Sequence, residues 1–408
     1  MKHHDIIIIG DGIVGLTLAH ALAQQEIDTA LILKTPLSQS QPQSQSQDPL
    51  RTYDPRVSAI TAASEHLFRH LKVWDNIQNR RVSPFRDMRI TDTSGSATLH
   101  FDSAWIGQPQ LGHIIENSVM LAALQENIQT YPHLTCYSDV SLKTLLPTGD
   151  GIILKTHSTP FFTPLLIGAD GANSWVREQS GQLWAEQPYE QTAIIATVHT
   201  THPHQETAYQ RFFEDSVLAF LPLNHPQDHS IVWSCDQGLA EEILSMDDTA
   251  FADKLTACMP NELGAVLSCT ARLHFPLVMR HADTYIQPHL ALIGDAAHTI
   301  HPLAGQGLNL GLSDVATLVA VIQKNIRLQR PLGDRVLLTQ YQRERRVANM
   351  LMIKIMSTLK RLFMTNEHTL GLIRQQGMKM TDRLPWLKKC FMHYGMGLYS
   401  QSSLFKDE

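Results

Sequence analysis

The sequence predicts an α/β fold in which a unit of strands, glycine turns and helices is interrupted by an inserted β-sheet and followed by a helical C-terminal region. Three observations carry this expectation. The chain opens on an apolar run, a glycine-rich turn and an apolar helix pattern, and a second strand, glycine turn and helix follow over residues 290–315. Between them, from Gln191 to Cys235, the texture changes to alternating and β-branched runs that indicate a sheet. From Gln340 onward the apolar residues recur at helical spacing.

The 408 residues suffice for two domains or one large domain with an inserted sheet, and an apolar content of 43% is that of an ordinary globular protein. Five cysteines (Cys136, Cys235, Cys258, Cys269 and Cys390) are scattered without a C-x-x-C pair. That usage fits a reducing compartment and argues against disulfides, zinc or a redox dithiol. Ile6 to Ile9 is too short for the apolar core of a signal peptide, and no stretch reaches the roughly eighteen uninterrupted apolar residues of a membrane span. The expected location is the cytoplasm. Charge is unevenly placed: from Arg343 to Glu408 twelve Lys/Arg stand against five Asp/Glu, so a tail of +7 leaves −13 for the rest of a chain whose total is −6.

In order along the chain, Ile6 to Ile9, Gly10, Gly12, Gly15 and the apolar run from Leu16 give strand, turn and helix, the setting in which G-x-G-x-x-G describes a dinucleotide site. Gly10 makes the turn, Gly12 admits a pyrophosphate to the backbone, and Gly15 lets helix and strand pack closely; the strand Thr29 to Leu33 completes the unit. At the end of that strand, where an acid ordinarily holds the adenosine ribose, stands Lys34. An ammonium has donors and no acceptor lone pair, so either another residue serves the ribose, or affinity falls and Lys34→Glu restores it. Residues 38–47, rich in Ser and Gln, have nothing to bury and read as a surface loop.

Asp54 to Ile60 leads into an amphipathic helix ending at about Trp74, and Leu111 to Asn117 leads into a helix from Ser118 to Glu126. The apolar strand after Pro164 ends in the turn Asp170-Gly171. His199, His202 and His204 lie beside Pro203 among Thr and Gln, the composition of a polar turn rather than of a metal site. Leu290 to Ile293 then reads as a buried strand feeding the loop and helix start of Gly294 to Val315. Asp295 at the strand end can accept hydrogen bonds from a polyol, and Gly305 and Gly307 let the backbone approach a flat ring. The positive end of the following helix favours negative charge on that ring. His298 and His301 lack an Asp, Glu or His partner at recurring ligand spacing, so no metal is expected. The tail holds eight of the fourteen methionines, interleaved with lysines and arginines. It reads either as a capping helical layer or as a surface for anionic lipid or a partner protein.

The string GDAAHxxxPxxGQGxNxGxxD is carried by Gly294, Asp295, Ala296, Ala297, His298, Pro302, Gly305, Gln306, Gly307, Asn309, Gly311 and Asp314. It resembles the second FAD-binding motif of the flavoprotein aromatic hydroxylases, most closely the branch that hydroxylates ring intermediates of ubiquinone biosynthesis. The resemblance implies that Asp295 binds the ribityl chain and that the segment Gly305, Gln306, Gly307, Leu308 and Asn309, with Pro302 before it, lies against the pyrimidine side of the isoalloxazine. Asp54 to Ala59 resembles the family's D-x-R-x-x-A segment beside the flavin, which makes Arg56 a cofactor contact through phosphate or ring edge. Asp170, Gly171 and Arg177 resemble the Asp-Gly motif placed near the FAD pyrophosphate and the nicotinamide donor.

The fold implied by the resemblance is that of the para-hydroxybenzoate hydroxylases: a Rossmann-like FAD-binding domain over 1–180 and 270–340, with part of 75–110 joining the substrate sheet; an inserted antiparallel substrate-binding sheet over 181–269; and a helical, basic C-terminal region over 341–408. Tyr209, Arg211, Phe213, Phe220 and Pro222 match the sheet segments that roof the substrate cavity. The implied activity is hydroxylation of an electron-rich, polyprenylated phenol or quinol through a flavin C4a-hydroperoxide, with O2 as co-substrate and NAD(P)H as a transient reductant. No catalytic base is readable. A flavin-dependent prenyl reductase and a flavin-binding assembly component of a ubiquinone-biosynthesis complex are the alternatives. A halogenase is disfavoured because the six tryptophans form no W-x-W pair. Besides a hydrophobic aromatic substrate, the tail allows peripheral membrane or biosynthetic-complex association; nucleic acid is not an expected partner.

Overall fold

The structure, a computed structural model, describes residues 1–34, 53–92, 98–126, 128–258, 261–301, 305–364 and 368–398. The polar segment 38–47 and Pro302 lie outside the described residues. A six-stranded sheet forms the centre, in the order Ile286–Gln287, Leu290–Leu292, Leu165–Gly168, Ile6–Ile9, Thr29–Ile32 and Leu134–Tyr137. Its pairings are parallel except at the Ile286–Gln287 edge. Ile6, Ile7, Ile8, Leu165, Leu166 and Ile167 are fully buried, as expected of parallel strands covered on both faces, where alternation gives way to continuous apolar runs. The helix Ile13–Ala23 leaves the first strand and packs against the helices Asn117–Gln125 and Gly307–Arg327. The two glycine motifs therefore open neighbouring helices.

A nine-stranded sheet carries the inserted region. Along its main path the order is His298–Thr299, Leu273–Ala282, Trp184–Thr200, Asp228–Asp236, Ser216–Pro222, Thr207–Phe212, Asp87–Thr91 and Thr98–Asp102, with Val266–Cys269 pairing beside Trp184–Thr200. The sheet runs past the expected boundary at residue 269, because Leu273–Ala282 pairs antiparallel along Trp184–Thr200. The strands Asp87–Thr91 and Thr98–Asp102 join it from the first part of the chain. One face is covered by the helices Gln237–Ser245 and Asp248–Cys258, whose Ala240, Ile243, Phe251 and Leu255 pack on Ile194, Val198, Phe220 and Trp233. A small sheet of Val57–Ile60, Gly112–Glu116 and Ser83–Phe85 stands between the two large ones.

The long helix Arg335–Phe363 packs along Gly307–Arg327, and two shorter helices follow, His368–Arg383 and Pro385–Gly395, the last with proline in its first turn, where the missing N–H costs nothing. Met352, Met356, Phe363 and Met378 are buried against Phe212, Val217, Ile300 and Leu310. Part of the methionine-rich tail is therefore ordinary core that closes over the sheet.

Candidate functional site

The first glycine turn is built for close approach. Gly10 has φ +130°, and a Cβ there would lie 2.2 Å from the Ala169 carbonyl oxygen; a Cβ on Gly15 would lie 2.1 Å from the carbonyl of Gly10. Gly12 is different: nothing stands within 4 Å of its would-be Cβ, and it begins the helix Ile13–Ala23 without any side-chain cap. An uncapped helix start with room beside it is the arrangement that receives a phosphate. At the end of the second strand the Lys34 side chain is exposed, and its backbone N–H donates to Asp11 Oδ2 at 3.1 Å. A carboxylate does stand at this strand end, contributed by the residue between the first two glycines.

The second motif is held from behind by a buried network. Asp314 Oδ2 accepts from the Gly294 N–H at 3.0 Å and lies 2.6 Å from His298 Nε2, while Oδ1 accepts from Arg345 Nε at 2.7 Å and Asn349 Nδ2 at 3.3 Å. Burial opposes the charge on Asp314, but His298 and Arg345 outweigh it and hold the carboxyl at about 2. His298 is thus part of the scaffold. His301 is likewise engaged, with Nε2 3.0 Å from Gln191 Oε1. Gly294 has φ +59° and, like Gly311, closes on Val14 of the first motif, whose Cγ2 would lie 2.8 Å from a Cβ on Gly311. The two motifs are packed as one unit. Asp295, just past the Leu290–Leu292 strand, has an exposed side chain, yet the protein packed around its carboxyl withholds water and raises it above the ordinary value.

Gly305 (φ +60°) lies against Ala59, and Gly307 opens the helix Gly307–Arg327, again with no side-chain cap and nothing near its would-be Cβ. The Asn309 amide is fully engaged: it accepts from the Thr61 N–H at 3.1 Å and Ser64 Oγ at 2.8 Å, and donates to the Ala59 carbonyl at 2.7 Å. It locks the loop to the Val57–Ile60 strand, which leaves the loop backbone, and not this amide, for a ligand. Asp54, braced by Glu116 and Ser118, accepts from the Arg56 N–H at 2.9 Å, and the Arg56 side chain is exposed. Asp170 receives Ser174 Oγ at 2.5 Å and the Val176 N–H at 3.1 Å, so its carboxylate caps the next helix. Arg177 donates to the carbonyls of Ala296 and Ala172, both at 2.8 Å, and stacks on Trp184. Of this group Gly171 (φ +83°) alone has open space beside it.

Next to Gly305 and Gln306 lies a cavity of about 280 Å³. The nine-stranded sheet supplies Met88, Phe101, Ala208, Gln210, Val217, Ala219, Leu221, Val232 and Ser234; Phe85, Leu111 and Ile114, on or beside the small sheet, form a second wall; Phe391, Met392, Gly395 and Met396 at the last helix form a third. None of the described residues lining it is ionisable. The expected lining residues Tyr209, Arg211, Phe213, Phe220 and Pro222 are not among them, a correction that follows from the period of two along a strand. Tyr209, Phe220 and Phe213 pack in the helix-covered core, and Tyr209, Arg211 and Phe220 border a separate polar cavity of about 450 Å³. Pro222 shares the parity of Phe220. The wall from the last helix went unrecognised in the sequence, its one signal being methionines four residues apart at Met392 and Met396.

Two uncapped helix starts, the open space beside Gly12, Gly171 and Gly307, and the exposed carboxylate of Asp295 are a donor and acceptor set that fits a flavin dinucleotide, and the FAD binding domain family matches residues 3–355. By fold the chain is similar to p-nitrophenol 4-monooxygenase PnpA of Pseudomonas putida (TM-score 0.77, 14% identity, 97% of this chain and 99% of that one) and to PqsL of P. aeruginosa (TM-score 0.77, 18% identity, 91% and 100%). By sequence it is 34% identical to the 3-demethoxyubiquinol 3-hydroxylase of Escherichia coli over 97% of this chain and 98% of the relative. It is 33% identical to the ubiquinone biosynthesis monooxygenase COQ6 of Danio rerio (96% and 89%) and 32% to the ubiquinone hydroxylase UbiL of Rhodospirillum rubrum (97% and 90%). The chain belongs to the FAD-dependent aromatic hydroxylases of ubiquinone biosynthesis.

Proposed function

We propose that this protein hydroxylates an electron-rich, polyprenylated phenol or quinol ring of ubiquinone biosynthesis. The observation that carries the reading is the apolar cavity bounded on one side by Gly305 and Gln306 and free of ionisable lining. When bound, FAD reduced by NAD(P)H delivers one oxygen atom of O2 to the ring while the other leaves as water. The chain's own part is to hold, orient and keep dry. In this reading Gly10, Gly12 and Gly15 seat the pyrophosphate on the first helix, Asp11 accepts from the ribose in place of the missing acid at position 34, and Asp295 accepts from the ribityl hydroxyls. The backbone of Gly305 to Asn309 faces the pyrimidine edge, Arg56 reaches a phosphate or ring edge, and Gly171 leaves room at the pyrophosphate. Asp170 and Arg177 support that loop. Gln210, Ser234 and Gln306 are the polar groups available to orient a ring hydroxyl, and the apolar walls exclude water.

The nine-stranded sheet is the substrate-binding part and the six-stranded sheet the cofactor part of this division of labour. Among the described residues no helix is long and apolar enough to cross a membrane. The protein acts in the cytoplasm at the inner face of the membrane, docking through its last helices. Trp386 (63% exposed) and Phe391 (51%) stand beside the exposed basic residues Lys379, Arg383 and Lys389, an aromatic and cationic surface suited to anionic lipid. Deleting the gene and identifying the accumulated precursor tests the assignment. A polyprenyl phenol lacking one ring hydroxyl, cleared by the wild-type gene and not by an Asp295→Ala copy, is expected; unchanged quinone content would contradict it.

A further inference from the structure

The sheet brings together residues that are separate in sequence. His199 and Asp228 are directly paired across the antiparallel strands Trp184–Thr200 and Asp228–Asp236, and His225 arrives from the short loop preceding the second strand. His199 Nδ1 lies 2.6 Å and His225 Nδ1 3.6 Å from Asp228 Oδ1, and the three potential ligand atoms all fall within 4.8 Å of one another. Asp228 is 5% exposed at its side chain, and no Lys or Arg forms an ion pair with it among the described residues. A buried carboxylate whose ionisable partners are two imidazoles lacks the cation that burial of a charge calls for. The imidazoles are 29% and 53% exposed, so the group is open to solvent on the side opposite the carboxylate. The Tyr53 hydroxyl accepts from the His225 N–H at 3.2 Å, holding the loop in place from a second layer.

We propose that His199, His225 and Asp228 form a binding site for one divalent transition-metal ion of the zinc type, with water in the remaining position. Two nitrogens and one carboxylate oxygen suit zinc or cobalt and do not suit magnesium or calcium, which prefer all-oxygen shells. Metal–ligand bonds of about 2.0–2.2 Å at tetrahedral angles set ligand atoms about 3.4 Å apart. The His225–Asp228 separation already matches, and the His199–Asp228 hydrogen bond opens by under about 1 Å when its proton is exchanged for the ion. The bound ion ties the end of the substrate sheet to the 223–228 loop and, through Tyr53, to the arm that carries Arg56. In sequence His199 resembles part of a polar turn, because its partners lie beyond residue 224 at no short ligand spacing; in the structure it lies in the strand Trp184–Thr200.

The test uses the full chain with FAD bound, dialysed against chelator and titrated calorimetrically with zinc chloride, beside His225→Ala and Asp228→Asn. His225 is exposed and Asn is isosteric with Asp, and retained flavin absorbance confirms that both variants are folded. The wild type is expected to take up one ion per chain at this site, with affinity falling at least about ten-fold in each variant, and to gain thermal stability with zinc that the variants do not gain. Zinc uptake that is equal in all three proteins, or absent in the wild type, overturns the proposal.

Discussion

Asp314 never faces the cofactor cleft, yet its two oxygens fix Gly294, His298, Arg345 and Asn349 together behind it. Asp314→Asn leaves Arg345 buried without its charge partner, and a loss of about 3–5 kcal/mol is expected from chemical denaturation. The same residue gives a pH dependence. Its carboxyl is depressed from 3.8 to about 2, so the stabilisation is complete above about pH 4 and is lost as pH falls toward about 2, an effect of roughly 2 kcal/mol in wild-type unfolding that the Asn variant lacks. At the ribose end, Asp11 changes the expectation drawn from Lys34 alone. Fluorescence titration of apo-protein with FAD is expected to show Asp11→Asn weakened by roughly ten-fold, the loss of one hydrogen bond to a charged acceptor. Lys34→Glu, which places a second carboxylate beside the first, is expected to bring no gain. Tightening by Lys34→Glu would return the ribose contact to position 34.

At the scale of elements, the strand Thr207–Phe212 shows which parts of the site could be read from sequence. Both glycine motifs were legible because turn, helix start and close packing are local and each needs glycine at a fixed offset. The inward face of this strand was not legible: five of its six residues are buried, with a helix-covered core on one side and the cavity on the other, so no polar alternation marks the parity. The aromatic residues drew attention to the wrong side. The last helix's share in the cavity wall was not legible for a related reason, since its buried side carries only Lys388, Met392 and Met396, a stripe too narrow to separate a cavity wall from a surface helix. The corrected parity makes a prediction. Ala219→Phe fills the cavity and is expected to lower kcat/KM for hydroxylation by at least about ten-fold with FAD affinity unchanged, whereas Tyr209→Phe on the opposite face leaves turnover near wild type. The reverse pattern would restore the original face.

For the whole molecule, the division into an acidic body of −13 and a basic tail of +7 becomes spatial: the last helix walls the cavity with Phe391, Met392 and Met396, turns Trp386 outward, and leaves Phe391 half-exposed at the cavity's edge. A poorly soluble polyprenyl substrate held in a bilayer would then meet the protein on the side where the cavity is closed. Co-sedimentation with vesicles containing anionic lipid is expected to fall in a Trp386→Ala/Phe391→Ala variant and to weaken with salt, as a surface held partly by charge must. Neutral vesicles binding equally well would remove the electrostatic part of this account. An FAD site and a dry cavity, acting together, place one oxygen atom on a ring. Incubating the holoprotein with NAD(P)H, a polyprenyl phenol and heavy-isotope dioxygen, then weighing the extracted product, measures this directly. One labelled oxygen per product ring, in proportion to NAD(P)H consumed, is the predicted result. Reductant consumed with only hydrogen peroxide formed, or product carrying oxygen from water, would contradict it.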